Sequence, residues 1–446
     1  MKRVLIIGGL DQSGIAGLGA DMRSLGSLGM GCAPVATSIV LESSAKLDRI
    51  VPIEPDVIRD GIRAVLEDGE PNAVKLGMLY AKATTKTVSK ELEDLECPII
   101  VDPVLAASVG NPLAEEGMVQ SLFDNILPIA DLVTPNLREL QALSGNKAVT
   151  YSDAERAADK LLTEGGAGAV LVKGGHMKGK LAADILVEPR LVTEFAAPRL
   201  PLSHPRGLGC TYASLITGYI ALGEELKDAV GHAKDRLHTS LEHAERLGSA
   251  TVLNPIRSVV REAELYRITE QMRAAIPELL GILVPDLVPE VGVNAAYAIW
   301  GAKDMREVCT LDSRIILKGG IPSTMGSPAF GVSRHIARVV LTAMEYEPWA
   351  RCAINVRYSE SAVKAARRAK LSMSSFDRRD EPKNKRTMAW GTARAIESAG
   401  YIPDIIWDAG GHGKEAMMRV LGRNPADVLN KVERLASTMR RPRRPS

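Results

Sequence analysis

The sequence has few aromatic residues, few cysteines and no long run of apolar residues. Aromatic side chains make up 4% of the 446 residues, and the five cysteines lack the paired C-x-x-C spacing of redox and zinc motifs. No apolar run is long enough to cross a bilayer. The net charge of +2 gives no general attraction for nucleic acid or membranes. The composition therefore predicts a globular protein of the reducing cytoplasm, with no nucleic-acid or membrane partner.

Short apolar runs alternate with helical patterns through the first half of the chain, which is typical of parallel strands covered on both faces. The sequence predicts strands at 4–7, 34–39, 73–76, 98–101, 132–134 and 169–172, and a hairpin from 183–187 and 191–195. A long amphipathic helix over 226–247 follows and is predicted to end at Gly248.

The break at Asn254-Pro255 predicts a boundary between two domains. The chain is interpreted as an α/β domain over 1–248, a linker over 249–261 and a second α/β domain over 262–446. In the second domain the patterns predict helices at 262–276 (closed by Pro277), 333–344, 359–368 and 387–399, and a strand at 402–407.

The segment Arg206-Gly-Leu-Gly-Cys210 precedes a strongly helical pattern. Gly207 and Gly209 allow backbone amides to converge, and the helix start adds its positive dipole end, so the segment predicts an anion hole for a phosphoryl group. Cys210 lies at its mouth, where we expect a lowered thiol pKa and a thiolate that can accept a proton. The alternative is a glycine turn before an ordinary helix.

A glycine-rich turn, 8–17, follows the first predicted strand and leads into a helix that carries Asp21. The turn fits neither the G-x-G-x-x-G pattern nor a P-loop, so it predicts neither a dinucleotide nor that phosphate cradle. Asp21 could hold a polar ligand at the carboxyl edge of the sheet. On spacing alone, helix capping explains Asp21 better.

Further strand-end segments carry groups suited to phosphate or metal. Asp102 follows one predicted strand, and Asn136 and Glu139 follow another at a spacing that puts them on one face of a helix. An acid and an amide there suit Mg²⁺ beside phosphates, and Lys173 can neutralise phosphate charge. For each alone, an ordinary strand-end loop is the alternative.

The motifs DQSGIAGLGAD, VKLGML, VDPV, TPNLREL, VLVKGGH and GLGC occur in order over 1–248. In this order and spacing the region resembles the hydroxymethylpyrimidine/phosphomethylpyrimidine kinases of the ribokinase-like superfamily. The resemblance implies a three-layer α/β/α domain and phosphorylation with ATP and Mg²⁺. It also implies roles by position: Asp11, Asp21 and Glu42 for the pyrimidine; Lys173, Asn136, Gly207 and Gly209 for ATP; Asp102 and Glu139 for the metal; Cys210 as catalytic base.

Three residues depart from that family pattern. Glu42 stands where glutamine is usual, Leu208 where threonine is usual and Ile15 where glycine is usual. Glu42 keeps a hydrogen-bond acceptor but loses the amide donor, and Leu208 removes a hydroxyl group from the anion hole. An inactive or altered kinase half therefore stays open as an alternative.

The second half resembles a ThiN-type thiamine-phosphate synthase. The segments that carry the resemblance are PEV (289–291), SRI (313–315), FGVSRHIAR (330–338), NVRY (355–358), SFDRRDEP (375–382) and PDIIWDAGGHGKE (403–415). That family couples hydroxymethylpyrimidine diphosphate to thiazole phosphate and expels pyrophosphate, which requires cations and amides around the leaving group. The resemblance implies Arg314 and His335 as the catalytic pair. The helix start at Gly331, Ser333 and Arg334 suits a substrate phosphate.

The glycine-rich loop 410–414 resembles a P-loop only superficially and is interpreted as another phosphate or carboxylate cradle. Together the two resemblances predict a bifunctional, homo-oligomeric enzyme of thiamine biosynthesis that acts on small molecules. The alternative from another class is a regulator that senses thiamine phosphate, which the lack of a basic recognition helix disfavours.

Overall fold

The computed structural model describes residues 1–106, 113–175, 179–202, 205–381, 387–411 and 414–440. The chain divides into two compact units, Met1–Val260 and Arg261–Ser446. No helix among these described residues is both long enough and apolar enough to cross a membrane.

A nine-stranded sheet forms the centre of the first unit. Its strands are β1 (Arg3–Asp11), β2 (Gly31–Glu42), β3 (Leu47–Pro52), β4 (Ala73–Leu76), β5 (Ile99–Val101), β6 (Leu132–Val133), β7 (Val170–Val172), β8 (Leu181–Glu188) and β9 (Leu191–Pro198). The order is β3-β2-β1-β4-β5-β6-β7-β8-β9. The six central strands β2, β1, β4, β5, β6 and β7 are parallel, and β3, β8 and β9 are added antiparallel. The carboxyl ends of the parallel strands therefore meet at one edge.

Helices cover both faces of this sheet. They are α1 (Gly17–Gly26), α2 (Pro55–Glu67), α3 (Lys82–Leu92), α4 (Met118–Asn125), α5 (Leu137–Ser144), α6 (Tyr151–Thr163), α7 (Leu208–Leu222) and α8 (Leu226–Glu242), with a 3₁₀ turn at Leu127–Ile129. Alternate residues of β1 enter different cores: Leu5 and Ile7 pack on the side of α2 to α6, and Val4 and Ile6 on the side of α1, α7 and α8. The predicted three-layer α/β/α architecture is thus confirmed.

Two of the sequence expectations near the domain boundary differ from the structure. The helix predicted over 226–247 ends at Glu242, because the next residues form β11 (Glu245–Leu247), paired with β12 (Ala250–Val252). That strand also pairs with β10 (Pro205–Arg206), so tertiary pairing overrides the local helical pattern. The stretch interpreted as a linker therefore contains a strand and the start of a helix.

The helix expected to close at Pro277 continues through it, as α9 (Pro255–Ile282). Ile268, Met272 and Leu279 are all buried in the core of the second unit. The apolar stripe thus continues beyond Pro277, and this packing outweighs the lost hydrogen bond that a proline imposes on a helix.

A seven-stranded sheet forms the second unit. Its strands are β13 (Ala295–Ala298), β14 (Val308–Leu311), β17 (Pro328–Phe330), β18 (Cys352–Arg357), β19 (Met373–Ser375), β20 (Ile405–Asp408) and β21 (Met417–Gly422), and a separate hairpin is made by β15 (Ile316–Lys318) and β16 (Ile321–Ser323). The order is β17-β14-β13-β18-β21-β20-β19, mostly antiparallel. Of these strands, the sequence predicted only β20.

Helices also pack on both faces of the second sheet. They are α10 (Arg334–Tyr346), α11 (Glu360–Arg368), α12 (Thr387–Ala399) and α13 (Pro425–Arg440), with 3₁₀ turns at Pro285–Leu287, Met305–Glu307 and Arg378–Asp380. One core joins α9, α11 and α13 to the sheet, and the other joins α10 and α12 to it. A second α/β domain is thus confirmed.

Candidate functional site

The glycine-rich turn after β1 is shaped by Asp11. Its carboxylate accepts hydrogen bonds from the Ser13 amide at 2.7 Å, the Ser13 hydroxyl at 2.8 Å and the Ala16 amide at 2.8 Å. Gly17 has a φ of +54°, and an added Cβ would lie 2.2 Å from the carbonyl oxygen of Gly9, so only glycine fits there. Asp11, predicted to bind substrate, lies in a cavity wall with its oxygens engaged by its own turn.

The start of α7 lies beside the groups predicted to meet phosphate and metal. Gly207 has a φ of +76°, and an added Cβ would lie 2.4 Å from the carbonyl oxygen of Ile15. A Cβ at Gly209 would lie 3.2 Å from Nζ of Lys173 and 3.4 Å from Oδ2 of Asp102. The two glycines therefore let the positive end of α7 approach these side chains closely.

Cys210 lies in the first turn of α7 and lines the same cavity. Desolvation raises the pKa of its thiol to about 12; Lys75 opposes this, and the carboxylates of Asp21 and Asp102 add to it. The expectation of a lowered thiol pKa is wrong, because burial, reinforced by two nearby carboxylates, outweighs Lys75 and the helix dipole. Cys210 is therefore a thiol at neutral pH.

Behind Cys210 lies a buried ion pair that the sequence pattern did not predict. Nζ of Lys75 lies 2.9 Å from Oδ2 of Asp21, and the Ser214 hydroxyl donates to Oδ1 at 2.8 Å. Both charged side chains are 1% exposed. Burial favours neutral Lys75, but the Asp21 carboxylate outweighs it and raises the lysine pKa. Asp21, predicted to hold the pyrimidine, thus has both oxygens engaged within the protein.

We expect Lys75→Met to destabilise the protein by about 3–5 kcal/mol, because it leaves the carboxylate of Asp21 buried without its cation. The change Lys75→Met combined with Asp21→Asn should recover most of that loss. Urea denaturation measures both. The control is Lys46→Met, which removes the exposed pair with Asp48 and should have almost no effect. Equal stability of Lys75→Met and wild type would contradict the burial argument.

Asn136 and Glu139 form a capping box at the start of α5. The Asn136 side chain accepts hydrogen bonds from the amides of Arg138 at 2.9 Å and Glu139 at 3.0 Å. The Glu139 carboxylate accepts from the Asn136 amide at 2.8 Å. These hydrogen bonds fix both predicted residues at the end of β6. The backbone of Asn136 also forms an isolated parallel β-bridge with that of Lys173.

Lys173 connects the predicted phosphate and metal groups. Its Nζ lies 2.6 Å from Oδ1 of Asp102. Burial acts to raise the pKa of Asp102, but Lys173 and Lys75 hold it below its usual range. Burial raises the pKa of Glu139 to about 7, an effect that Lys173 opposes and Asp102 reinforces. At the edge of the sheet the ammonium group of Lys173 thus contacts the carboxylate of Asp102 and is influenced electrostatically by the less acidic Glu139.

This pair of carboxylates fits Mg²⁺. The described residues contain no cluster of three or more His, Cys, Asp or Glu side chains placed for a metal ion. Magnesium commonly takes only one or two carboxylates and completes its shell with water and substrate phosphates. The donor set of Asp102 and Glu139, beside a lysine and a helix start, is therefore compatible with a magnesium–nucleotide complex.

One cavity of about 810 Å³ has in its wall the charged and polar side chains predicted to act in the first unit, together with Lys75: Asp11, Asp21, Lys75, Asp102, Asn136, Glu139, Lys173 and Cys210. Glu42 and Arg206 also line it; their side chains are 6% exposed, and Arg206 Nη2 lies 2.6 Å from Glu42 Oε2. Burial raises the pKa of Glu42, and Arg206 opposes the rise.

Ile15 is 1% exposed, so its extra bulk is buried. Leu208 packs partly against the core. His176, the last residue of the VLVKGGH motif, lies outside the described residues.

In the second unit Arg314 lies close enough to His335 for its charge to affect the pKa of the histidine. Arg314 is exposed, and its Nη1 donates to the carbonyl oxygen of Val291 at 2.6 Å. Burial lowers the pKa of His335, and the neighbouring charges of Arg314, Arg338 and Arg419 lower it further. Burial and the neighbouring positive charges thus favour the neutral imidazole of His335, which can donate or accept a hydrogen bond.

The start of α10 has the form that suits an anion. Gly331 has a φ of +76°. Ser333 is the N-cap residue, and its side chain makes no capping hydrogen bond. Arg334 is exposed in the first turn. The amides of this helix start are therefore not satisfied by a side-chain cap.

A buried carboxylate that the sequence pattern did not predict lies at the end of β20. Asp408 is 0% exposed and accepts hydrogen bonds from Arg378 at 2.5 Å and Arg419 at 2.8 Å. Its partner Arg378 belongs to the SFDRRDEP segment. In the loop predicted as a cradle, Gly411 bridges to Lys414. His412 and Gly413 of that loop lie outside the described residues.

Comparison with known proteins agrees with this division into two units. Residues 11–255 match the family described as phosphomethylpyrimidine kinase, and residues 271–434 match the family described as thiamine-phosphate synthase ThiN. The chain is 30% identical over 437 residues to the bifunctional thiamine biosynthesis protein ThiDN of Methanocaldococcus jannaschii, an alignment that covers 96% of this chain and 97% of that protein.

The first unit also has relatives that consist of a kinase alone. It is 35% identical over 245 residues to the hydroxymethylpyrimidine/phosphomethylpyrimidine kinase of Aquifex aeolicus, with 55% of this chain and 96% of that protein covered. A solved structure of Staphylococcus aureus pyridoxal kinase in complex with AMP-PCP and pyridoxal is 27% identical, with a TM-score of 0.53 and coverage of 57% of this chain and 94% of that one.

Proposed function

This chain belongs to the family of bifunctional thiamine biosynthesis proteins that join a phosphomethylpyrimidine kinase to a thiamine-phosphate synthase, and we propose how its residues divide the chemistry. The first unit phosphorylates hydroxymethylpyrimidine and then its monophosphate, with ATP as donor. The second unit couples the resulting diphosphate to thiazole phosphate and releases pyrophosphate. A cytoplasmic location and a homo-oligomeric state stay predictions from the sequence.

The kinase assignment of residues rests on the close approach of Lys173 and Asp102 to the start of α7, with Glu139 acting electrostatically on both. In the proposed reaction the substrate hydroxyl oxygen attacks the terminal phosphorus of ATP, and the bond to the ADP oxygen breaks. Lys173 and the α7 amides stabilise charge on the moving phosphoryl group. The thiolate form of Cys210, a small fraction at neutral pH, accepts the hydroxyl proton. Asp102 and Glu139 would hold Mg²⁺, which supplies charge neutralisation between the phosphates.

The synthase assignment rests on the electropositive surroundings of His335. In the proposed reaction the bond between the pyrimidine CH₂ and the diphosphate oxygen breaks, and its electron pair leaves with pyrophosphate. The thiazole nitrogen supplies the electron pair of the new C–N bond. Arg314 stabilises the charge that develops on the departing group, and the start of α10 binds a phosphate. Neutral His335 contributes a hydrogen bond.

One assay tests both halves. Purified protein is incubated with MgATP, hydroxymethylpyrimidine and thiazole phosphate, and each pyrimidine phosphate, thiamine phosphate and pyrophosphate is quantified over time. We expect monophosphate, diphosphate and thiamine phosphate to form in that order. Thiamine phosphate formation from supplied diphosphate, with no phosphorylation of hydroxymethylpyrimidine, would show that the kinase half is inactive, the alternative raised by Leu208 and Ile15.

We expect Glu139→Gln to raise the Mg²⁺ concentration that gives half-maximal kinase rate by about tenfold or more, since it removes one of two anionic ligands. A magnesium titration at saturating ATP measures this. Asp153→Asn is the matched control, because Asp153 has the same capping-box position at the start of α6 but is not among the residues that line the cavity. Equal magnesium requirements in both variants would assign Glu139 a capping role alone.

A further inference from the structure

The carboxylate of Asp408 fixes two guanidinium groups of the second unit. Its Oδ1 accepts from Arg378 Nε at 2.5 Å, and its Oδ2 accepts from Arg378 Nη2 at 3.1 Å and from Arg419 Nη1 at 2.8 Å. The amide of Gly410 donates to Oδ1 at 2.9 Å. The side chains of Arg378 and Arg419 are only 10% and 4% exposed. The arginine orientations are therefore set by one buried acid.

Two guanidinium groups share the carboxylate of Asp408. Within the described part of the chain, the ion pairs of Arg378 and Arg419 both go to Asp408, so one carboxylate serves two cations. The charges of Arg314 and Arg419 act on the same histidine, His335. Since buried charge is costly unless it is matched, this arrangement is suited to an anionic ligand.

Hydrogen bonds also connect this cluster to Arg314. Arg378 Nη2 donates to the backbone oxygen of Glu415 at 3.4 Å. The carboxylate of Glu415 accepts from the amides of Glu290 at 2.9 Å and Val291 at 3.2 Å. The Val291 carbonyl accepts from Arg314 at 2.6 Å. Arg314 and Arg378 are thus held by one scaffold.

We propose that Arg378 and Arg419 form the subsite for the diphosphate group and that Asp408 is its positioning residue. This rests on the proposed synthase function. Among the described residues, Arg378 donates from Nε and Nη2, and Arg419 from Nη1 alone. Each therefore retains donors for phosphate oxygens, which guanidinium groups bind with high geometric specificity.

The direction in which pyrophosphate affinity changes in Asp408→Asn distinguishes a positioning role of Asp408 from a purely electrostatic one. Asp408→Asn removes a negative charge beside the subsite, so attraction alone would make pyrophosphate bind more tightly. If Asp408 instead orients the two guanidinium groups, its loss lets them adopt other rotamers and weakens binding. We expect the pyrophosphate dissociation constant to rise about tenfold or more in Asp408→Asn, with a matching rise in the pyrophosphate concentration that inhibits thiamine phosphate formation.

The experiment uses the full chain and inorganic pyrophosphate as the probe. Isothermal titration calorimetry gives the dissociation constant, and product inhibition gives an independent value. Asp404→Asn is the control: Asp404 pairs with Lys431 at 2.9 Å elsewhere in the second unit, so it reports the loss of an ion pair outside the cluster. Its pyrophosphate affinity should equal that of wild type.

If Asp408→Asn does not fold, pyrophosphate affinity is measured in Arg419→Lys. Lysine keeps the positive charge but lacks the planar, forked set of donors of a guanidinium group, so binding should again weaken. Unchanged or tighter pyrophosphate binding in a folded Asp408→Asn, or an equal loss in Asp404→Asn, overturns the subsite. If wild-type protein binds pyrophosphate through these residues but makes no thiamine phosphate, the subsite stands and the proposed synthase function fails.

Discussion

Arg314→Ala should reduce the turnover number for thiamine phosphate formation by about 10²–10³-fold, the size of effect seen when one donor to a developing anion is removed. The charge on the leaving diphosphate grows only as the C–O bond breaks, so the loss should fall on turnover more than on substrate affinity. Arg314→Lys should recover little, because an ammonium group cannot replace the planar fork. Steady-state kinetics with supplied diphosphate and thiazole phosphate measure both variants.

Two controls make this result specific to the site. Arg273→Ala removes another exposed arginine of the second unit, one that is paired with Glu270, and should leave synthase turnover near wild type. Phosphorylation by the first unit should be unchanged in both variants. The pKa of His335, followed by NMR, should rise in Arg314→Ala, since a cation that lowers it is gone. Near wild-type turnover with a shifted histidine would place Arg314 at the site but outside the chemistry.

The residues that gather at the edge of the first sheet were predictable from the sequence, because each follows a strand that can be recognised from its own apolar run. Asp102, Asn136 and Lys173 each follow a short apolar run, and the carboxyl ends of parallel strands meet at one edge. The structure places β5, β6 and β7 side by side in that order, so these side chains come together. The positions of these residues after their strands, and the rule that the carboxyl ends of parallel strands share one edge, are enough to predict this grouping without any knowledge of side-chain contacts.

The buried ion pairs were not predictable in the same way. In the sequence, nothing distinguishes Lys75 from any other lysine in a strand. Its partner Asp21 lies on a helix 54 positions earlier in the chain. Asp408 and Arg419 meet only because β20 and β21 pair in one antiparallel register. A charged residue inside a run of otherwise apolar strand residues was the available signal. It marks a residue that needs a partner without saying which one.

The thiol pKa shows why a motif alone gave the wrong protonation state. The sequence contains the helix start that lowers the pKa of a thiol, but it does not show the burial and the two carboxylates that raise it. The position of Cys210 in the cavity agrees with the base role proposed for it. Its raised pKa changes how that role must be tested.

Cys210→Ala should lower the kinase turnover number by about 10²–10⁴-fold, the range of a general base, with a much smaller change in the KM for hydroxymethylpyrimidine. Thiamine phosphate formation from supplied diphosphate should persist. Steady-state phosphorylation assays measure the loss. Cys32→Ala is the matched control: Cys32 is another partly exposed cysteine of the first unit and is not among the residues that line the cavity.

The pH dependence identifies the form of Cys210 that acts. With a pKa of about 12, the thiolate fraction is small throughout pH 6–9 and grows about tenfold with each pH unit. If the thiolate accepts the substrate proton, wild-type turnover rises with pH across this range, and the rise is absent in Cys210→Ala. Cys210→Ser should then be as slow as alanine, because a serine hydroxyl ionises far less readily. A serine variant with near wild-type turnover would show that Cys210 acts only as a hydrogen-bond donor, leaving the proton to another acceptor in the cavity.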